Sequence, residues 1–185
     1  AKARDSLARK GTFNRETEKF GDSMTMDDTD MMEKGFVTGI GAMKSALIIF
    51  DVHTKMHFGF PLQTYEWEEH ARHMENFIGG RGSTKCKIMY SDDHASLIRA
   101  CKELKYPHEL AQPGRADRNG VAEQKVSDSL TGTRTNLLQA GLPGCFWPPA
   151  LECYSFHDNA RVRVSGSSPW QSRFGKGFPG KLIPF

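Results

Sequence analysis

Ala46-Leu47-Ile48-Ile49-Phe50 is a run of five apolar residues closed by Asp51, and it constrains the fold more than any other stretch. A run this dense leaves no polar face for solvent, so it reads as a central strand covered on both sides. Lys55-Met56-His57-Phe58-Gly59-Phe60 follows after a short turn and alternates, as a half-buried neighbouring strand does. An extended run, Phe20 to Asp27, precedes it, and Met31 to Ser45, with three glycines, reads as a loop or hairpin tip. Downstream, Thr64 can cap a helix reaching about Ile78, with Glu66, Glu68 and Glu69 suited to its first turn. Gly79 to Ser83 breaks it. Then come a strand at Lys87–Tyr90, a short helix at His94–Leu104 and a weak strand candidate at Glu109–Ala111. A helical pattern fills Asn119–Ala140, stopped by Gly141 and Pro143, and a last helix spans Pro149–Arg161. This order predicts an α/β domain with a mixed sheet and helices on both faces. Such sheets put ligand sites at their strand ends.

The 185 residues suffice for one domain with a proper core. The division expected is a flexible basic lead-in over 1–19, a folded core over 20–165 and an irregular tail over 166–185. With 38% hydrophobic and 25% charged residues the composition is that of a globular chain, which excludes a disordered one. No apolar run approaches the ~18 residues of a membrane span, so no membrane partner is expected. The N-terminus has no apolar signal core, and its lack of an initiator Met suggests a piece of something longer. Cys86, Cys101, Cys145 and Cys153 show neither C-x-x-C nor paired histidine spacing. That argues against a zinc module or a disulfide framework and for reduced thiols, hence a nuclear or cytoplasmic location.

A net charge of +3 and a pI near 8.7 permit a polyanionic partner without requiring one. The distribution is more telling. Six basic residues fall within 1–19, and Asp22, Asp27, Asp28, Asp30 and Glu33 follow at once. A basic arm leading into an acidic pocket suits a metal site that also holds nucleic acid; a solvated tail beside an acidic loop fits the charges equally.

Three acids stand out by position. Asp27 closes the first extended run, Asp92 ends the strand Ile88-Met89-Tyr90-Ser91, and Glu123 lies near the start of the long helical pattern. Acids at strand ends and a helix start can converge, and converging carboxylates bind divalent metal, as metal-assisted phosphoryl transfer needs. Each has a plain alternative. Asp92 or Asp93 can cap the following helix, Glu123 can pair with Arg134 on its own face, and Asp27 competes with Asp22, Asp28 and Asp30. His70 and His73 form H-x-x-H but gain no further ligands, so they read as surface histidines. Asp51 is suited to tethering a turn at Thr54, and the three tryptophans to packing.

Longer motifs carry a family resemblance. Tyr90-Ser91-Asp92-Asp93 is similar to the Y-S/T-D-N setting, and Pro113 through Glu123 fits P-x-R-x-x-x-N-G-x-A-E in full. Leu137 to Ala150 is similar to L-L-x-x-A-G-L-P-x-x-F-W-x-x-A, and Ser168 to Gly175 resembles T-P-Y-E-x-x-F-G. Together these resemble the catalytic core of a copia-type retrotransposon integrase, over about Phe20 to Phe185. Asp93 departs from the family's Asn, and the family's His/Cys zinc module and C-terminal extension are not seen.

The resemblance implies a ribonuclease H-like fold, catalytic and metal-binding roles for Asp27, Asp92 and Glu123, and Mg²⁺ or Mn²⁺ as cofactor. It implies joining of element DNA 3′ ends to target DNA, within a homo-oligomer when active. Arg115, Arg118, Asn119 and Lys125 would be nucleic-acid contacts, and Asn119-Gly120 would shape the turn presenting Glu123. An inactive integrase remnant and a ribonuclease H-type hydrolase are the alternatives.

Overall fold

The central strand expected at Ala46–Phe50 is β2, Ser45–Asp51, and all seven of its residues are buried. Each large apolar side chain on it contributes roughly 1.5–3 kcal/mol by leaving water. The computed structural model describes residues 17–110 and 116–185, with side chains of the second span from residue 121 onward. The basic lead-in over 1–19 therefore lies almost wholly outside the described residues.

β1 (Met24–Asp30) and β3 (His57–Leu62) flank β2, both antiparallel to it. β4 (Met89–Ser91) pairs in parallel with the other side of β1, and β5 (His108–Leu110) in parallel with β4. The sheet order is β3-β2-β1-β4-β5, a mixed five-stranded sheet. Parallel neighbours need crossovers, and α1 (Trp67–Ile78) and α2 (Ala95–Leu104) supply them on one face. The opposite face is covered by α3 (Ala116–Ala140) and α4 (Trp147–Ala160).

Strand alternation sorts side chains into two cores. Met24, Met26, Leu47 and Ile49 meet Ala71 and Met74 of α1 and Leu97 and Ala100 of α2. Ala46 and Ile48 meet Val126 and Leu130 of α3 and Trp147 and Leu151 of α4. Because side-chain direction flips at every residue, Asp27 and Asp28 on β1 project from opposite faces of one sheet end.

Two glycines are dictated by close approach. A Cβ on Gly132 of α3 would lie 2.1 Å from the Tyr154 ring of α4, so this glycine lets the two helices touch. At Gly21 the backbone has φ +88° and a Cβ would overlap the Lys85 carbonyl. The edge of β3 is closed by side chains of α4: Gly59 N donates to Ser155 Oγ (3.0 Å) and His57 N to Asn159 Oδ1 (3.1 Å). The Asp51 carboxylate accepts from Thr54 N and Oγ1 (2.7 and 2.6 Å) and from Gly21 N (2.8 Å), so it tethers the β2–β3 turn as expected.

Several boundaries differ from the sequence expectation. β1 starts at Met24 because Phe20–Ser23 is held in a turn, where the Asp22 carboxylate accepts from Glu18 N and Lys19 N. Thr64 does not cap α1. Instead Glu69 reaches back and accepts from Gln63 N, Thr64 N and Thr64 Oγ1. Asn119 and Gly120 form no turn, since α3 already begins at Ala116 and runs through them. The tail expected to be irregular contains α5 (Pro169–Phe174), capped by Ser168 Oγ accepting from Gln171 N (3.1 Å) and started by Pro169. Among the described residues no helix is long and apolar enough to cross a membrane, and all four cysteines are free thiols.

Candidate active site

The sheet end at Asp27 and Asp28 gathers the acids that stand out in the sequence. Asp27, half-buried on β1, faces α3 and shares with Glu123 a cleft of about 310 Å³ that Thr29, Lys34 and Ser127 also line. Burial pushes the Asp27 carboxyl up to about 7, and the negative charges of Asp92, Asp28 and Glu123 push the same way. Those charges act on Asp27 because β4 lies directly beside β1 in parallel register, with Thr25 opposite Tyr90, and ends just before Asp92. Negative charges from β1, from the residue after β4 and from α3 thus act on one half-buried carboxyl, which favours its protonated form or a nearby cation.

The plain alternatives to these roles are largely taken up by other groups. Neither Asp92 nor Asp93 caps α2; its N-cap is His94, and no side chain bonds there. Arg134 extends instead to the Lys34 carbonyl (2.5 Å) and lies 4.7 Å from the Phe36 ring centre. Among the neighbouring acids, Asp22 binds Lys87 Nζ at 2.8 Å, and that contact, with the backbone donors, holds its carboxyl down to about 2. Asp30 accepts from Met32 N (2.7 Å) and Glu33 N (3.2 Å) and closes a turn. Asp28 turns to the opposite face, against two histidines. Of the four aspartates, Asp27 is the one set against Asp92 and Glu123.

The expected nucleic-acid contacts fare unevenly. Arg115 lies outside the described residues, while Arg118 and Asn119 belong to the backbone of the first turns of α3. Lys125 is drawn elsewhere: its Nζ sits 3.0 Å from Asp128 Oδ2 and 5.5 Å from the Phe50 ring centre, away from the Asp27 cleft. Lys34, exposed on the loop after β1, is a basic residue of the cleft that the sequence did not single out. No motif marks it, since only the return of α3 across β1 brings it beside Glu123.

His70 is the clearest correction. It is not a surface residue: its side chain is fully buried, 3.0 Å from the Asp28 carboxylate. Burial lowers its basicity, but the hydrogen bond and charge of Asp28 outweigh this and leave it above the ordinary histidine value. His73, also expected at the surface, packs on the Phe60 ring (4.8 Å between centres), where burial pushes it down to about 4.

The sequence matches no protein-family model and no curated protein. Solved structures do match. The catalytic core domain of BIV integrase aligns with a TM-score of 0.58 at 14% identity, over 82% of this chain and 92% of that one. The HTLV-2 integrase catalytic core domain, solved in complex with magnesium in a trimeric form, aligns with a TM-score of 0.61 at 13% identity, over 85% and 99%. The fold is that of an integrase catalytic core. Its mixed five-stranded sheet with helices on both faces is the ribonuclease H-like architecture expected from the sequence.

Proposed function

We propose that this integrase-like core is of the copia retrotransposon type and joins 3′ ends of element DNA to target DNA by Mg²⁺-dependent transesterification. The observation that carries the reading is the charge crowding at Asp27, which Asp92 and Glu123 help to produce. The donor set suits the ion. Carboxylate oxygens match hard Mg²⁺ or Mn²⁺, and among the described residues neither thiol nor imidazole lines the cleft that holds Asp27 and Glu123. Asp27, Asp92 and Glu123 would hold it, and bound there it would supply Lewis-acid polarisation of a phosphodiester and a more acidic attacking hydroxyl.

The protein's own groups do the rest. β1 carries Asp27, β4 ends just before Asp92, and α3 carries Glu123, so regular elements support the three acids and would present them to substrate together. With its carboxyl raised to about 7, Asp27 titrates near neutrality, and a cation held there would favour its ionised form. Lys34 at the cleft, Arg118 and Asn119 in the first turns of α3, and Arg115, which precedes α3 in the sequence, would contact DNA phosphates. A DNA duplex pair and a homo-oligomer holding two element ends are the partners this chemistry requires, in a nuclear or cytoplasmic setting.

The test is strand transfer with a labelled element-end duplex and a target duplex in Mg²⁺ or Mn²⁺. Joining by wild type and its loss in Glu123→Gln, with folding unchanged by circular dichroism, is the expected result. Cleavage of an RNA–DNA hybrid without joining would identify a ribonuclease H-type hydrolase instead. A folded wild type that binds neither ion would be an inactive remnant.

A further inference from the structure

Behind Asp27, on the other face of β1, the Asp28 carboxylate meets imidazoles from two separate elements. His70 of α1 places Nε2 3.0 Å from both Asp28 oxygens. His94, at the N-cap of α2, places Nδ1 3.2 Å from Oδ2. One ligand atom from each residue lies within 4.8 Å of the others. We propose that Asp28, His70 and His94 form a second metal site, for a borderline transition ion of the Zn²⁺ kind, separate from the carboxylate cluster at Asp27.

Hydrogen-bond chemistry supports it. His70 Nδ1 lies 2.9 Å from the Glu66 carbonyl, which can only accept, so Nδ1 carries a proton. In the neutral ring Nε2 then holds a lone pair aimed at an anion. His94 Nδ1 is likewise buried without a well-directed hydrogen bond, although the same carboxylate is 3.2 Å away. With His70 neutral, three electron-pair donors thus converge, and the place that a proton on Nε2 otherwise fills is open to a cation that all three can share. The Glu66 carbonyl does for His70 what an outer partner does for a metal-bound imidazole: it fixes the tautomer and the ring.

The donor set selects the ion. Two imidazole nitrogens and one carboxylate oxygen suit Zn²⁺ and its neighbours, whereas Mg²⁺ prefers oxygen throughout. Bonds of about 2.0–2.1 Å in a tetrahedron set adjacent ligand atoms roughly 3.3 Å apart, close to the 3.0 and 3.2 Å from Asp28 Oδ2 to the two imidazoles, and a modest inward shift brings all three atoms, now within 4.8 Å of one another, onto one ion. Three protein ligands leave the fourth position to water. The ligands come from β1, α1 and the start of α2, so the ion would pin both helices to the sheet end. His94 also follows Asp92 by two residues, so the ion would steady the loop carrying that acid.

The test uses the whole chain, stripped with chelator and held at pH 7.5, with Co²⁺ followed by visible absorption and Zn²⁺ by calorimetry. One equivalent of each is expected, with the strong visible bands of four-coordinate Co²⁺. His94→Ala, at a partly exposed position, should weaken Zn²⁺ binding at least about 30-fold, and Asp28→Asn should do the same while circular dichroism stays native. Glu123→Gln should leave Zn²⁺ affinity and the Co²⁺ spectrum unchanged, which separates this site from the proposed catalytic one. The proposal is overturned if wild type takes up no Zn²⁺ in the micromolar range, leaving a plain Asp–His ion pair. It is equally overturned if either variant binds as wild type does, or if Glu123→Gln abolishes uptake.

Discussion

Asp27 and Asp28 are adjacent on one strand, yet their surroundings are opposite in charge. On the α3 side, Asp27 is half-buried among like charges and pushed up to about 7. On the α1–α2 side, Asp28 is compensated by His70 and His94. The lesson is that a strand end can hold a frustrated acid and a satisfied one back to back, because pleat parity sends them to different layers. Crowded like charge of the Asp27 kind is the more common mark of a functional carboxyl.

The sharpest way to break this contrast is through activity. Glu123→Gln or Asp92→Asn should lower Mg²⁺-dependent strand transfer at least about a hundredfold without loss of folding, whereas Asp30→Asn, in a turn, should leave the rate near wild type. Equal losses in all three, measured on the same duplex substrate, would mean that the Asp27 side is not special.

Next in size is Asp28→Ala in chelator. It strips His70 Nε2 of its partner in a fully buried setting and should cost about 1–3 kcal/mol in urea unfolding. Asp27→Asn should act the other way. A carboxyl whose folded value is raised to about 7 destabilises the fold once ionised, so the penalty grows as pH climbs from about 4 and is complete above about 7. In chelator at pH 7.5 the variant should therefore gain roughly 1 kcal/mol after solvent screening, and at pH 3.5 the gain should vanish. A loss at pH 7.5 would show that the charge crowding is not felt.

The smallest effect belongs to Asp22→Asn, which removes the Lys87 contact. Here the folded value is depressed to about 2, so the stabilisation exists above the ordinary carboxylate range and is lost as pH falls through about 2. At pH 7 the variant should lose at most about 1 kcal/mol, with no difference from wild type in strong acid.

Much of the layout was readable before any coordinates. The run Ala46–Phe50 became the buried β2, the alternation after Lys55 became β3, and even the weak strand near Glu109 pairs with β4. These signals are local, since side-chain period alone separates strand from helix. The misses have local causes too. The onset of α3 lies ahead of Asn119, where Gly120 mimics a turn, and α5 hides in a Gly- and Pro-rich tail behind a Ser-Pro start. His70 reads as a surface residue in the sequence because the carboxylate that holds it, Asp28, lies on β1, 42 residues away along the chain.

By itself, then, the sequence determined the order and kind of the elements and drew attention to Asp27, Asp92 and Glu123. Tertiary structure alone decided which aspartate of the acidic run faces the other two, that Lys34 and not Lys125 lines that cleft, and that Asp28 meets two histidines. The reason is physical. Periodicity and capping are encoded within a few residues, whereas the meeting of charges depends on strand register and sheet order, which emerge only when remote segments pack.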